Sequence, residues 1–424
     1  MRHIYLCLMV LFSVCGSLNP LFAQWVKTAL DTGFVGGFAA KGAYLFAGIA
    51  DGNGVFSSTD NGTSWTQVNN GLSNTSVNAL AASPDSPGNL LAGSEGSGVF
   101  LSTNDGTSWN QTGLTNANVW ALAVSDTNLF AGTEFGGVYL STNDGTSWNQ
   151  VDTGLTVPFV TSFAVSDTDL FAGTYRHGVF LSTNNGKNWT QTGLTNPYVW
   201  ALVTSGMNLF AGTAGGDGVF LSTDNGARWT AVNNEFPKDP DDTTVYGYVN
   251  ALAVSGANLL AGTDFAGVYL STNSGASWIS VNDGFPKMLD DSTRYLPVHA
   301  LQVFGTDLFA GTENGGVWRR PLSEMITSVE TCPTNLPVHY SLSQNFPNPF
   351  NPSTSIRFEL GGAGFVSLRV YDVLGNVVAT LENGEMKQGG YQVTWKATGL
   401  SSGIYLCRLQ AGNFVDIRKL ILLK

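Results

Sequence analysis

The phrase Gly137-Val-Tyr-Leu-Ser-Thr-Asn-Asp-Gly-Thr-Ser-Trp148 recurs in near-copy through most of the chain, and such a repeat constrains the fold more than any other feature. Its apolar start alternates with the two-residue period of a strand, Ser141, Asn143 and Gly145 supply turn chemistry, and Trp148 opens a further strand. The expected hairpin is stapled. Asn143 offers a side-chain acceptor to backbone donors two residues on, Gly145 permits a positive φ, and the indole of Trp148 folds back over its own turn.

Five further copies carry the same Ser, Asp or Asn, Gly and Trp, at Ser58 to Trp65, Ser102 to Trp109, Ser182 to Trp189, Ser222 to Trp229 and Ser271 to Trp278. A second phrase marks seven units: Phe46-Ala-Gly48, Leu91-Ala-Gly93, Phe130-Ala-Gly132, Phe171-Ala-Gly173, Phe210-Ala-Gly212, Leu260-Ala-Gly262 and Phe309-Ala-Gly311. Their glycines lie 39 to 50 residues apart, which suits four short strands per unit, as in a propeller blade. In the third unit the strands are expected at Val119 to Val124, Asn128 to Thr133, Gly137 to Ser141 and Trp148 to Val151. The seventh unit stops after Gly316 to Arg320 with no box, so its outer strand is missing. Trp25 to Thr28 matches the Trp-initiated outer strands and is expected to close the ring.

The boxed phrase resembles the Asp-box of the BNR repeat family, found in sialidases, xyloglucanases, sortilin-type receptors and photosystem assembly factors. In that family the box is a structural turn away from the functional face. Asn replaces Asp in four copies, which keeps the acceptor and loses the charge, so the box is a poor metal ligand.

Gly is abundant at 51, charged residues are 12%, and no long amphipathic helical period occurs, all of which point to an all-β chain. The net charge of -12 leaves no basic stripe for phosphates, so no nucleic-acid partner is expected. Residues 1–23 read as a secretory signal, with a basic start, the apolar run Ile4 to Val14 and Leu21-Phe-Ala23 before Gln24. No later run suggests a transmembrane helix. Once that segment is removed only Cys332 and Cys407 remain; Cys407 shares a strand face with Tyr405 and Leu409, which favours a buried thiol over a bridge.

The propeller is placed at residues 24–324 and a linker at 325–340. Residues 341–424 follow a Pro-rich extended segment, Asn345 to Ser353, with strand-like runs at Ser355 to Leu360, Val366 to Val373, Val377 to Leu381, Tyr391 to Lys396, Gly403 to Gln410 and Phe414 to Leu422. Glycines, including Gly389-Gly390, are read as the turns between them. The expectation is a seven-bladed β-propeller followed by a small immunoglobulin-like β-sandwich. Pro347 to Pro349, Val370 to Gly375, Leu400 to Tyr405 and Lys419 to Lys424 resemble, in order, the motifs of the C-terminal sorting domain of type IX secretion cargo, a module similar to the flagellar hook-capping Ig-like fold. The resemblance implies the type IX secretion machinery as partner, passage through the periplasm, and a product that is secreted or held on the outer surface.

Loops from second to third strands and from outer to next inner strands lie opposite the boxes, and function is expected there. They carry Asp51, Glu95, Glu134, the run Tyr175-Arg176-His177, Asp217, Asp264 and Glu313, with Phe135 and Phe265 beside two of the acids. The inner-strand position after Val holds Asn78, Trp120, Thr161, Trp200, Asn250 and His299. A structural position repeats its residue, so irregularity there suggests a tailored surface. The ligand-binding candidates are Trp120, Glu134, Phe135, Tyr175, Arg176, His177, Trp200, Asp264, Phe265, His299 and Glu313. Two matching loops, Phe236 to Thr243 and Phe285 to Ser292, add acids that read as solvated and lack the spacing of a calcium loop.

A sialidase needs three arginines on a carboxylate, and the chain does not place them on this face. A xyloglucanase-like enzyme needs two carboxylates across a groove, in a family that builds the groove from two propellers. No nucleophile triad, phosphate loop or metal-ligand cluster is present. No catalytic residue, metal or cofactor is therefore assigned. The expected function is a secreted or surface propeller binding a protein or glycan, the alternative a BNR-type glycoside hydrolase using acids of the mouth.

Overall fold

The structure, a computed structural model, describes residues 24–326 apart from 32, 84–88, 167–168 and 196–197, and residues 340–423 apart from 413. The signal segment and Cys332 lie outside the described residues. Two compact units form, Met1–Ile326 and Thr327–Lys424.

The first unit is a ring of seven four-stranded antiparallel sheets. Its third blade runs Val119–Ser125, Asn128–Thr133, Val138–Ser141 and Asn149–Gln150, close to the expected spans, although each outer strand keeps only two paired residues. The seventh sheet is assembled from both ends of the unit: Val26–Lys27 pairs with Gly316–Pro321, Val26 opposite Arg319 and Lys27 opposite Trp318. The closing strand read from the sequence is in place. The chain then continues through a short helix, Leu322–Ile326, whose Met325 is buried with Trp25 and Phe285.

The Phe-Ala-Gly phrase sits in the second strand of every blade, and its aromatic or leucine side chain is buried between sheets. Its glycine is required by the approach of the next blade. A Cβ at Gly132 would stand 2.7 Å from Val160 Cγ1, and at Gly311 2.5 Å from Val35 Cγ1, inside van der Waals contact. Hence the inner-strand Val and the second-strand Gly repeat together.

The boxes differ from expectation in two respects. In the Asn143 box the side-chain oxygen accepts from the Ser147 amide, four residues on, at 3.0 Å, whereas the amide two residues on, Gly145, goes to Ser141 Oγ at 2.9 Å. Two acceptors divide the turn's donors, and Asp144 and Gly145 both take positive φ, 50° and 77°, within it. The indole, moreover, does not simply cover its own turn; it crosses to the preceding blade. Trp148 Nε1 donates to Thr112 Oγ1 at 3.1 Å, Trp109 to the Val68 carbonyl at 2.7 Å, and Trp189 to the Val151 carbonyl at 2.7 Å. Trp65, Trp229 and Trp278 reach Thr28, Thr192 and Val232 in the same way, and Trp25 reaches Val281. Every acceptor stands three residues after the preceding blade's own Trp, so the seven indoles form a closed circuit of inter-blade bonds. Where the acceptor is a Val carbonyl the indole is buried; where it is a Thr hydroxyl the indole is half-buried.

The second unit is a β-sandwich. Ser341–Leu342, Ser353–Leu360 and Gly389–Lys396 form one sheet; Val377–Met386, Gly364–Tyr371, Gly403–Ala411 and Phe414–Leu422 form the other. Phe358 and Trp395 of the first pack with Leu368, Cys407 and Leu420 of the second. Gly389 and Gly390 are not a turn: they open a strand, opposite Leu360 and Glu359. Cys407 is fully buried, and loss of solvation pushes its thiol up to about 12, which leaves it protonated and inert.

Candidate binding site at the propeller mouth

All seven inner strands slip register directly after their Val, as between Val119 and Ala121 or Val298 and Ala300. Such a bulge leaves the next residue out of the ladder and re-aims its side chain. The residues so released are Gly36, Asn78, Trp120, Thr161, Trp200, Asn250 and His299, and all seven line one cavity of about 290 Å³ together with Phe34 and Ala50. The irregular inner-strand position is thus brought together, from every blade, in one place.

Aromatic side chains gather on one sector of this mouth. Trp120 lies 5.8 Å from Phe159 and 6.1 Å from Trp200, ring centre to ring centre, and Tyr175 stacks on Phe159 at 5.2 Å and meets Tyr198 edge-on at 4.7 Å. The Arg176 guanidinium lies over Tyr175 and Tyr198, at 5.1 and 5.4 Å from their centres. The N–H of Trp120 is buried and has no hydrogen-bond partner among the described residues. A buried, unpaired donor costs about 1 to 3 kcal/mol.

The opposite sector is polar. His299 packs edge-on against Phe34 at 4.4 Å, and its Nε2 lies 3.4 Å from a Glu313 carboxylate oxygen. Burial pushes the imidazole below its ordinary value, partly opposed by Glu313 and Asp264. Asn250 donates to Asp264 at 3.4 Å, and Asn118 to Glu134 at 2.6 Å.

The remaining candidates are dispersed. Glu134 and Phe135 stand outside the axial cavity, and Phe135 is exposed beside a second cavity of about 300 Å³ shared with Asn116, Asn118 and Tyr139. Phe265 is buried under the guanidinium of Arg294. His177 is exposed, and its carbonyl accepts from the Gln191 side chain at 2.9 Å. Glu95, Glu134, Asp264 and Glu313 share one repeat position, and the other three blades hold Ala50, Tyr175 and Ala214 there. Seven amides bond the residue before the inner-strand Val, and they belong to Ala50, Glu95, Glu134, Tyr175, Ala214, Asp264 and Glu313. In the paired loops Arg294 meets Asp239 at 3.7 Å, Asp291 at 3.3 Å and Asp241, so one cation knits both lobes.

Sequence reasoning missed Phe34, Phe159 and Tyr198. A signal for them exists: the position before the same Val is just as irregular, reading Phe34, Ser76, Asn118, Phe159, Tyr198, Tyr248 and Pro297.

Comparison with known proteins agrees with the two units. Residues 344–423 match the secretion system C-terminal sorting domain, and residues 137–245 match the DUF6242 beta propeller domain. No curated protein matches. Among solved structures, PorZ, a surface component of the type IX secretion system of Porphyromonas gingivalis, superposes with a TM-score of 0.51 at 15% identity, covering 94% of this chain and 61% of PorZ. The chain therefore spans about three fifths of that protein's length. YCF48 bound to D1 peptide gives 0.53 at 13% identity over 72% of this chain and 98% of that one, and an ancestral GH74 enzyme 0.53 at 16% over 94% and 63%. At these identities the likeness is one of fold, and it spans an enzyme as well as proteins of other kinds.

Proposed function

We propose that this propeller, which a type IX sorting tail directs to the cell surface or beyond, binds a glycan at its axial mouth without chemistry of its own. The observation that carries this reading is the aromatic wall of the axial cavity, Trp120 and Trp200 backed by Phe159 and Tyr175, facing the polar Asn250 and His299. Aromatic faces suit the C–H faces of a sugar ring, and the amide of Asn250 and the imidazole of His299 suit its hydroxyls. Against catalysis by the ring acids stands their engagement: Glu134 is held by Asn118, Asp264 faces Asn250 and Glu313 faces His299. A peptide presenting aromatic or hydroxyl side chains is the competing occupant.

The test is a glycan array probed with the full-length protein, followed by a hydrolysis screen on every bound glycan. Saturable binding with no cleavage supports the reading. Release of reducing ends replaces it with a glycoside hydrolase, and absence of any glycan ligand transfers the mouth to a protein partner.

A further inference from the structure

On the outward face of the sandwich's larger sheet, Arg369 of strand Gly364–Tyr371 stands directly opposite Arg408 of strand Gly403–Ala411. Like charges facing each other across a strand pair repel. Neither guanidinium has a carboxylate partner among the described residues: Arg369 donates to Asn383 Oδ1 at 3.1 Å, and its Nε is buried without a hydrogen-bond partner among them. No Asp or Glu occurs in either strand. Of the carboxylates in the two flanking strands, Asp416 lies opposite the inward-facing Leu409 and pairs with Arg418 at 2.7 Å, Glu382 lies opposite the inward-facing Leu368, and Glu385 lies opposite Phe365, four residues along the strand from Arg369. In a chain of net charge -12 such an unmatched cationic pair calls for a ligand.

The two arginines border the cavity of about 450 Å³ that Ser367, Tyr371, Asn383 and Gln410 also line. Here are forked donors, neutral hydrogen-bonding side chains and room for more than a water molecule. The geometry points to an oxyanion-binding site on the sorting domain, taking a carboxylate, phosphate or sulfate group held between Arg369 and Arg408. Planar guanidinium forks match such anions two donors at a time. The anion is either free in solution or borne by an acidic saccharide. Bound there, it removes the repulsion between the arginines, so its occupancy stiffens the sheet that carries the sorting motifs.

The experiment is calorimetric titration of the full-length protein at constant ionic strength, with inorganic phosphate in one arm, glucuronate in a second and uncharged glucose as the control. Phosphate or glucuronate should bind saturably and raise the sandwich's unfolding temperature, and Arg408→Gln should weaken binding about tenfold or more. Should Arg408→Gln misfold by circular dichroism, Gln410→Glu, which places a carboxylate at the rim, provides the same readout. Saturation by phosphate alone identifies a free anion, and preference for glucuronate an acidic saccharide. No saturable binding of either anion, or equal binding by a folded variant, overturns the site. Since the site lies in the sandwich, either result leaves the mouth's glycan reading untouched.

Discussion

The indole N–H of Trp25 meets the carbonyl oxygen of Val281 at 2.6 Å, across 256 residues of sequence. Arg320 donates to the same oxygen at 2.7 Å, so the closing strand, the third strand of the seventh blade and the outer edge of the sixth are tied at one atom. Trp25→Ala should therefore cost about 3 to 5 kcal/mol and lower the urea midpoint of the whole propeller. Within the circuit, Trp109→Ala should cost more than Trp148→Ala, because Trp109 is buried and Trp148 half-buried. An unchanged midpoint for Trp25→Ala, or the reverse order in the second pair, would show that closure does not depend on this circuit.

Among the six boxes only those at Asp60 and Asp224 have an aspartate at the acceptor position that Asn fills in the others. The hydrogen bonds that Asp60 accepts from the Ser64 hydroxyl and amide hold its pKa down at about 2. A carboxylate with a depressed folded value contributes stability above its unfolded value near 3.9 that is lost as pH falls toward the folded one. Asp60→Asn should leave stability at neutral pH nearly unchanged, since Asn104 and Asn143 make equivalent bonds, and should flatten the decline between pH 4 and 2. Equally steep acid melting curves for wild type and variant would contradict this.

The sign is opposite in origin but similar in direction for His299. Burial lowers its folded pKa, outweighing Glu313 and Asp264, so the unfolded chain binds the proton more readily and stability falls as pH drops below about 6.5. His299→Gln should remove that part of the slope between neutral pH and the folded value. Thermal melts of both proteins across that interval measure the difference. A wild type that instead gains stability on acidification would mean that the pairing with Glu313 prevails.

For the mouth, Trp120→Ala combined with Tyr175→Ala should weaken a bound oligosaccharide more than about tenfold, each stacking or hydrogen-bonding contact contributing about 0.5 to 1.5 kcal/mol. The bulge residue lies outside the ladder, so the fold should persist. Normal binding by the double variant, with loss of binding in a variant of the box face, would move the site to the other end of the ring.

Removal of residues 403–424 takes two of the four strands from the larger sheet of the sorting domain. In a host with type IX secretion the truncated chain should accumulate in the periplasm, as followed by fractionation and surface labelling. Surface display at the wild-type level would refute dependence on this tail.

Much of the architecture was legible because it is local. The Phe-Ala-Gly phrase, the box and the Trp-initiated strand each encode their conformation within a few residues, and repetition averages away the ambiguity of any one copy. The candidate site was legible in part: Trp120, Trp200 and His299 stood out by breaking a repeat position. Phe159 and Tyr198 did not, because their irregular position lies on the other side of the Val, one residue before it. Phe265 and Phe135 look alike in sequence beside their acids, yet one is buried beneath Arg294 and the other is exposed. The difference comes from the lobe that follows the sixth blade, which has no counterpart after the third.

By itself the sequence determined seven units, the order of their strands, the missing outer strand and the segment that replaces it, because these follow from short-range periodicity and from counting. Only the tertiary structure decided which blade each indole bonds, that every inner strand bulges after its Val, and that Phe34 ends 4.4 Å from His299. Those outcomes depend on closure. Bending seven sheets around one axis brings the outer strand of each blade within reach of the next blade's Trp, and it turns the bulged residues of seven separate repeats into a single cavity wall.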